Sequence, residues 1–161
     1  MCLTGAFAIP LVIDPNVVAA VAAQPSVPLS PLYAALGLGT GNDALNVSDS
    51  DIDSARKRLS AGDARLMALR CRADRICPPE KLMRLEREFP AGLEVREYGN
   101  VNDRNAIGDR PHATFTKEYR LVPNATADHH SRQALADLIA FFNRHLRAAA
   151  SRPEDQAQRA G

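Results

Sequence analysis

At 161 residues, with 45% hydrophobic and 24% charged content, the chain is long enough to bury the core of one globular domain and gives no sign of two. Lys and Arg number 20 against 19 for Asp and Glu, a formal net charge of +1, and basic residues cluster no further than Arg56-Lys57-Arg58, which argues against nucleic acid or an anionic membrane as partner. The apolar run over residues 3–13 is too short to span a bilayer and has no basic flank ahead of it, so the expected location is the cytoplasm, where three cysteines are expected as reduced thiols.

In chain order, Met1-Cys2-Leu3-Thr4-Gly5 reads as a strand-to-helix elbow whose preceding strand is absent. Residues 3–13 are apolar nearly all round, as in a helix packed at the centre of a large fold, and Pro10 should bend that helix or end it early. Residues 17–23 form a continuous apolar run, the mark of a strand buried on both faces, closed by Pro25 and Pro28. An irregular connection over 29–47 follows. Ser50 is placed to cap a helix over 51–59 with Ile52, Ala55 and Leu59 on its inner face. Residues 66–71 make a second buried strand, and Pro78-Pro79-Glu80 opens a helix with Leu82, Leu85 and Phe89 as its buried stripe.

Residues 93–98 alternate apolar and charged side chains, which predicts a third strand with one wet face near a sheet edge. A long loop rich in Gly, Asn and Asp spans 99–115, and loops of that length in a compact domain tend to carry function. Ser131 is placed to cap a last helix with Leu135, Leu138, Ile139, Phe142 and Leu146 as its apolar stripe; from 147 the apolar period stops and a disordered tail is expected. Helices alternating with strands predict a parallel sheet with crossover connections.

Three residues stand out chemically. Cys2 sits in the elbow, Asp74 follows the second predicted strand in Ala73-Asp74-Arg75-Ile76-Cys77-Pro78-Pro79-Glu80, and His112 lies in the long loop in Pro111-His112-Ala113-Thr114-Phe115. Their order is nucleophile, acid, base, the chain order of α/β-hydrolase triads. Taken singly each has a plainer reading: a small hydrophobe near a chain end, a turn residue ahead of two prolines, and a solvated loop histidine.

Together these segments resemble the dienelactone hydrolase family of the α/β-hydrolase fold, over most of residues 1–146. The first resembles the family elbow, Gly-x-Cys-x-Gly-Gly, with Cys2 on the nucleophile, Gly5 on the last glycine and Thr4 in place of the glycine before it. The acid loop around Asp74 resembles the family's most closely, and His112 falls between the last strand and the final helix, with Pro111 where the family carries glycine.

The resemblance implies an α/β fold comprising the C-terminal part of an α/β-hydrolase sheet, about three parallel strands with flanking helices, the N-terminal strands missing. It implies hydrolysis of small esters or lactones by a Cys2, His112 and Asp74 triad through an acyl-thioester, with the backbone N–H of Leu3 as an oxyanion donor and no cofactor or metal. A helix dipole behind Cys2 would favour its thiolate. The alternative expectation is a truncated, non-catalytic remnant that associates through an open sheet edge at residues 17–23.

The other candidates carry less. Cys71 and Cys77 fit no zinc spacing and read as structural. His129 and His130 are adjacent and suit helix capping, His145 suits the C-terminal dipole of the last helix, and Arg72 and Arg75 suit either a substrate carboxylate or a solvated surface. An N-terminal-nucleophile arrangement, with the α-amine of Cys2 as base after loss of Met1, has no other support in the sequence.

Overall fold

The structure is a computed structural model that describes residues 3–26, 41–45, 47–99, 112, 114–118 and 129–151. Two short helices, α1 (Leu3–Ala6) and α2 (Ala8–Leu11), lead into β1 (Ala19–Ala23). The chain then runs through α3 (Asp49–Ala61), β2 (Arg65–Cys71), α4 (Pro79–Glu88) and β3 (Leu93–Tyr98). A single π-helical turn, Thr114–Glu118, precedes the long helix α5 (His130–Ala150).

The described strands form an all-parallel sheet in the order β1-β2-β3. Parallel neighbours require a crossover, and α3 and α4 supply one each. The register sets Ala22 beside Ala68 and Ala68 beside Val95, so one sheet face presents Ala20, Ala22, Leu66, Ala68, Leu93 and Val95. That face packs on Ile9 and Val12 near α2, Ile52, Ala55 and Leu59 of α3, and Leu82 and Leu85 of α4 with Phe89 just beyond it. The opposite face, with Ala23, Met67, Leu69 and Tyr98, meets Ala134 and Phe141 of α5. The architecture is helix, sheet, helix in three layers. No helix among the described residues is long and apolar enough to cross a membrane.

Each element follows from local chemistry, and several expectations need correction. The single helix expected over 3–13 is two short ones, because Pro10 has no N–H to continue the ladder. Phe7 and Leu11 are more than half exposed, so this stretch is not buried all round. The cap of α3 is Ser48 rather than Ser50: the helix starts two residues earlier, and the Ser48 hydroxyl accepts from the Asp51 N–H at 3.1 Å. Gly62 ends α3 in the left-handed region at φ 85°, which lets the Asp63 N–H reach back to the Arg58 carbonyl at 3.1 Å.

In α5 the cap is His129, whose Nδ1 accepts from the Ser131 N–H at 3.3 Å; Ser131 itself lies inside the helix, fully buried. The buried stripe of α5 runs through His130, Ala134 and Phe141, whereas Ile139 and Leu146 are half exposed. The stripe read from the larger apolar residues is rotated from it by about one position, because the small Ala134 seats the helix on the sheet. α5 also continues through Ala150, past the point where the apolar period stops; residues 152–161 lie outside the described ones.

β3 ends the described sheet, as its alternation predicts, but its polar face is used: Glu94 accepts from Arg144 at 2.7 and 2.9 Å, and the Tyr98 hydroxyl donates to Asp137 at 2.7 Å.

Candidate active site

The acid loop is built from β2 outward. Asp74 follows the strand's C-terminal end, and its side chain is fully buried. Its Oδ1 accepts from the backbone N–H groups of Ile76 at 2.8 Å and Cys77 at 3.2 Å, the self-capping turn that a short carboxylate makes with the residues after it. Its Oδ2 accepts from His112 Nδ1 at 2.7 Å and from Gln24 Nε2 at 3.2 Å. Four donors therefore converge on one carboxylate, two on each oxygen.

Arg70, a cation inside the most buried strand, holds this loop from below. Its Nε donates to the Cys77 carbonyl at 2.8 Å and one terminal nitrogen donates to the Asp74 and Arg72 carbonyls at 3.1 and 3.2 Å, while the other pairs with Glu97 at 2.6 Å. A guanidinium is suited to such a role because its five donors fan out in one plane.

Gln24 ties the segment that carries His112 to Asp74. It stands one residue past β1 at φ 47°, a left-handed conformation that side-chain-bearing residues rarely adopt and that marks sites held by their surroundings. It is wholly buried; its N–H donates to the Leu69 carbonyl at 2.7 Å, extending the β1-β2 ladder, and its Oε1 accepts from the Thr114 N–H at 3.2 Å. Thr114 lies two residues beyond His112, and its hydroxyl is 3.2 Å from Cys71 Sγ at the end of β2. His112 is thus anchored to the ends of both strands.

With Nδ1–H directed at Asp74, a neutral His112 imidazole presents Nε2 as its acceptor. Ser26 Oγ is 3.1 Å from that nitrogen, so toward the neutral ring in this tautomer its hydroxyl is the donor. Ser26, Gln24 and Asp74 all follow the carboxyl ends of adjacent parallel strands, where open α/β sheets bind their ligands.

The structure therefore brings together two of the three residues expected from the sequence, Asp74 and His112. Cys2 lies outside the described residues. Leu3 is the first residue of α1, so its N–H has no carbonyl four residues back within the helix. The dipole expected behind Cys2 is weakened, because α1 is a single four-residue turn and the macrodipole needs several aligned peptides. Gly5 permits a close approach: a Cβ there would stand 2.5 Å from the Ala23 carbonyl oxygen, so only glycine lets α1 lie against β1.

The remaining candidates resolve as structural or surface groups. Cys71 and Cys77 are buried, and burial beside the Asp74 charge pushes the Cys77 thiol up to about 12, far from a reactive thiolate. Arg72 donates to the Gly99 carbonyl at 3.3 Å and lies 3.7 Å from Glu97, and Arg75 is exposed. The rings of His129 and His130 stack with centroids 4.2 Å apart at the start of α5. His145 faces Glu94 at 3.2 Å and Phe141 at 4.7 Å between centroids, so its partners are a carboxylate and a ring rather than the helix dipole. No group of three or more His, Cys, Asp or Glu side chains among the described residues is placed to hold a metal ion.

Three contributors escaped the sequence reading: Ser26, Gln24 and Arg70. The signal was present for two of them. Gln24 is the polar residue that ends an apolar run, and Arg70 is the charge within Leu66-Met67-Ala68-Leu69-Arg70-Cys71.

No protein-family model, no curated protein and no solved structure matches this chain.

Proposed function

We propose that the chain acts as a hydrolase of small esters or lactones, of the dienelactone hydrolase kind within the α/β-hydrolase fold. Asp74 orients His112, His112 is the general base, and Cys2 is the nucleophile that forms an acyl-thioester, with the Leu3 N–H as an oxyanion donor and no cofactor. One observation carries the reading: the 2.7 Å contact between His112 Nδ1 and a fully buried Asp74 whose other contacts are all donors. A carboxylate in that setting fixes the ring tautomer and stabilises the imidazolium formed when Nε2 takes a proton. The three parallel strands and the order of the acid and base along the chain support it further.

The test is turnover of a panel of p-nitrophenyl esters and small lactones by the wild-type chain, Cys2→Ala, Asp74→Asn and His112→Gln. Hydrolysis that depends on all three residues supports the assignment; turnover indifferent to His112 refutes it.

A second reading is favoured by the position of β1. It ends the described sheet and is wholly apolar in sequence, and such a strand edge is a template for pairing with another copy of the chain. Under that reading the chain is non-catalytic and persists by association. A concentration-dependent dimer lacking esterase activity would favour it, and a catalytically active monomer would exclude it.

A further inference from the structure

The proton-accepting nitrogen of His112 is engaged by a hydroxyl that the sequence did not single out. The geometric requirements for an activated nucleophile are a hydrogen bond from nucleophile to base and another from base to orienting group. Ser26 Oγ to His112 Nε2 is 3.1 Å and His112 Nδ1 to Asp74 Oδ2 is 2.7 Å, so both are met within the described residues. The backbone places the serine for this purpose. It lies three residues beyond β1, and the left-handed turn at Gln24 directs the chain across the end of β2, where Asp74 stands.

We propose that Ser26 is a nucleophile of this centre, an acyl-accepting hydroxyl that His112 activates independently of Cys2. The inference rests on the reading of His112 and Asp74 as base and orienting acid, and makes no use of the thiol.

The step balances with the groups at hand and water. Oγ attacks the ester carbonyl carbon, its proton passes to Nε2, and the carbonyl π pair moves onto the oxygen. Collapse breaks the bond to the alcohol oxygen, which leaves with the proton from Nε2. Water then attacks the acyl-serine, giving its proton to Nε2; the bond to Oγ breaks, Oγ recovers that proton, and the carboxylic acid departs. Ser26 is 1% exposed and the His112 side chain 13% exposed. The carbonyl must therefore approach along the imidazole ring, which favours small or flat acyl groups.

The experiment uses an alkyl fluorophosphonate, which phosphonylates activated serine hydroxyls with loss of fluoride, on the full chain, with the adduct located by peptide mass spectrometry. The expected result is one adduct, on Ser26, absent from Ser26→Ala and formed about a hundredfold more slowly in His112→Gln. Asp74→Asn serves as a second base-disabling variant should His112→Gln fail to fold by circular dichroism. No adduct on Ser26, or one that forms as fast without the base, overturns the proposal. Ester turnover on the same preparations separates the two readings. If it depends on His112 while Ser26 stays unmodified, only this inference fails; if it is indifferent to His112, the hydrolase assignment falls as well.

Discussion

Asp74 shows how much a single carboxylate can be made to do by its surroundings. Two backbone N–H groups fix one oxygen, so the other is aimed at the imidazole without further side-chain freedom. Asp74→Asn keeps the shape but places an NH2 donor where an acceptor is needed, and the ring loses its fixed tautomer. We expect ester turnover to fall by about 10²–10⁴ with little change in KM, measured by steady-state kinetics.

Arg70 acts on the same loop by holding its carbonyls rather than by touching His112. Arg70→Met strands the Cys77, Asp74 and Arg72 carbonyls and leaves Glu97 without its partner at 2.6 Å. Leaving buried carbonyls without donors typically costs about 1–3 kcal/mol, so the urea midpoint should drop clearly; an unchanged midpoint would mean that the loop is held by other contacts. Cys77 supplies a control at this scale. With its thiol pushed up to about 12 by burial, and Cys71 equally enclosed, iodoacetamide should modify neither before unfolding, as mass spectrometry of the native protein would show.

Elements were legible where one signal dominated. β2 and the inner faces of α3 and α4 are read correctly from apolar period alone, and β3 is correctly placed at an edge of the described sheet because its charges alternate with Leu93 and Val95. The reading failed where small residues or side-chain hydrogen bonds decide. Ala134 carries little hydrophobic signal yet seats α5, and a histidine at 129 took the capping place that a serine at 131 suggested. Asp74 and His112, which the structure brings together, were singled out because motif residues stand beside recognisable elements. Ser26 and Gln24 were missed because their role comes from a left-handed turn after β1, which no local pattern announces.

At the same scale, Gly5 sets how closely α1 approaches β1. Gly5→Ala must displace α1 from the Ala23 carbonyl, moving the segment that begins with Cys2. We expect about 1–3 kcal/mol of lost stability, read from chemical denaturation, together with reduced ester turnover. Lost stability with full turnover would mean that α1 does not position the nucleophile.

Across the whole molecule, surface carboxylates couple α3 to α4 within one helical layer and β3 to α5 of the other. Burial works to raise Glu94, but hydrogen bonds from His145 and Arg144 and the charges of Arg144 and Arg96 prevail and hold it below its ordinary value. Glu88 is likewise held down, with Arg84 and Arg56 overcoming its burial. For a carboxylate depressed in the folded state, the stability it contributes is complete above the unfolded value of 4.5 and is lost as pH falls below that through the folded value. Denaturation midpoints should therefore hold steady down to about that pH and then decline, with a shallower decline in a Glu88→Gln, Glu94→Gln double variant. An equally steep decline in that variant would assign the acid sensitivity to other groups.

The three-layer arrangement brings the ends of two strands, a turn and a distant loop residue to one place, and what that convergence is for can be read directly in the pre-steady state. Mixing the chain with p-nitrophenyl acetate should release about one equivalent of p-nitrophenolate per chain in a rapid burst ahead of slower turnover, because acylation precedes hydrolysis of the acyl-enzyme. The burst should vanish in a folded His112→Gln variant. A burst of the same size and rate without the imidazole, or no release above that of buffer from the wild-type chain, would contradict the assignment of His112 and Asp74 as the base and its orienting acid.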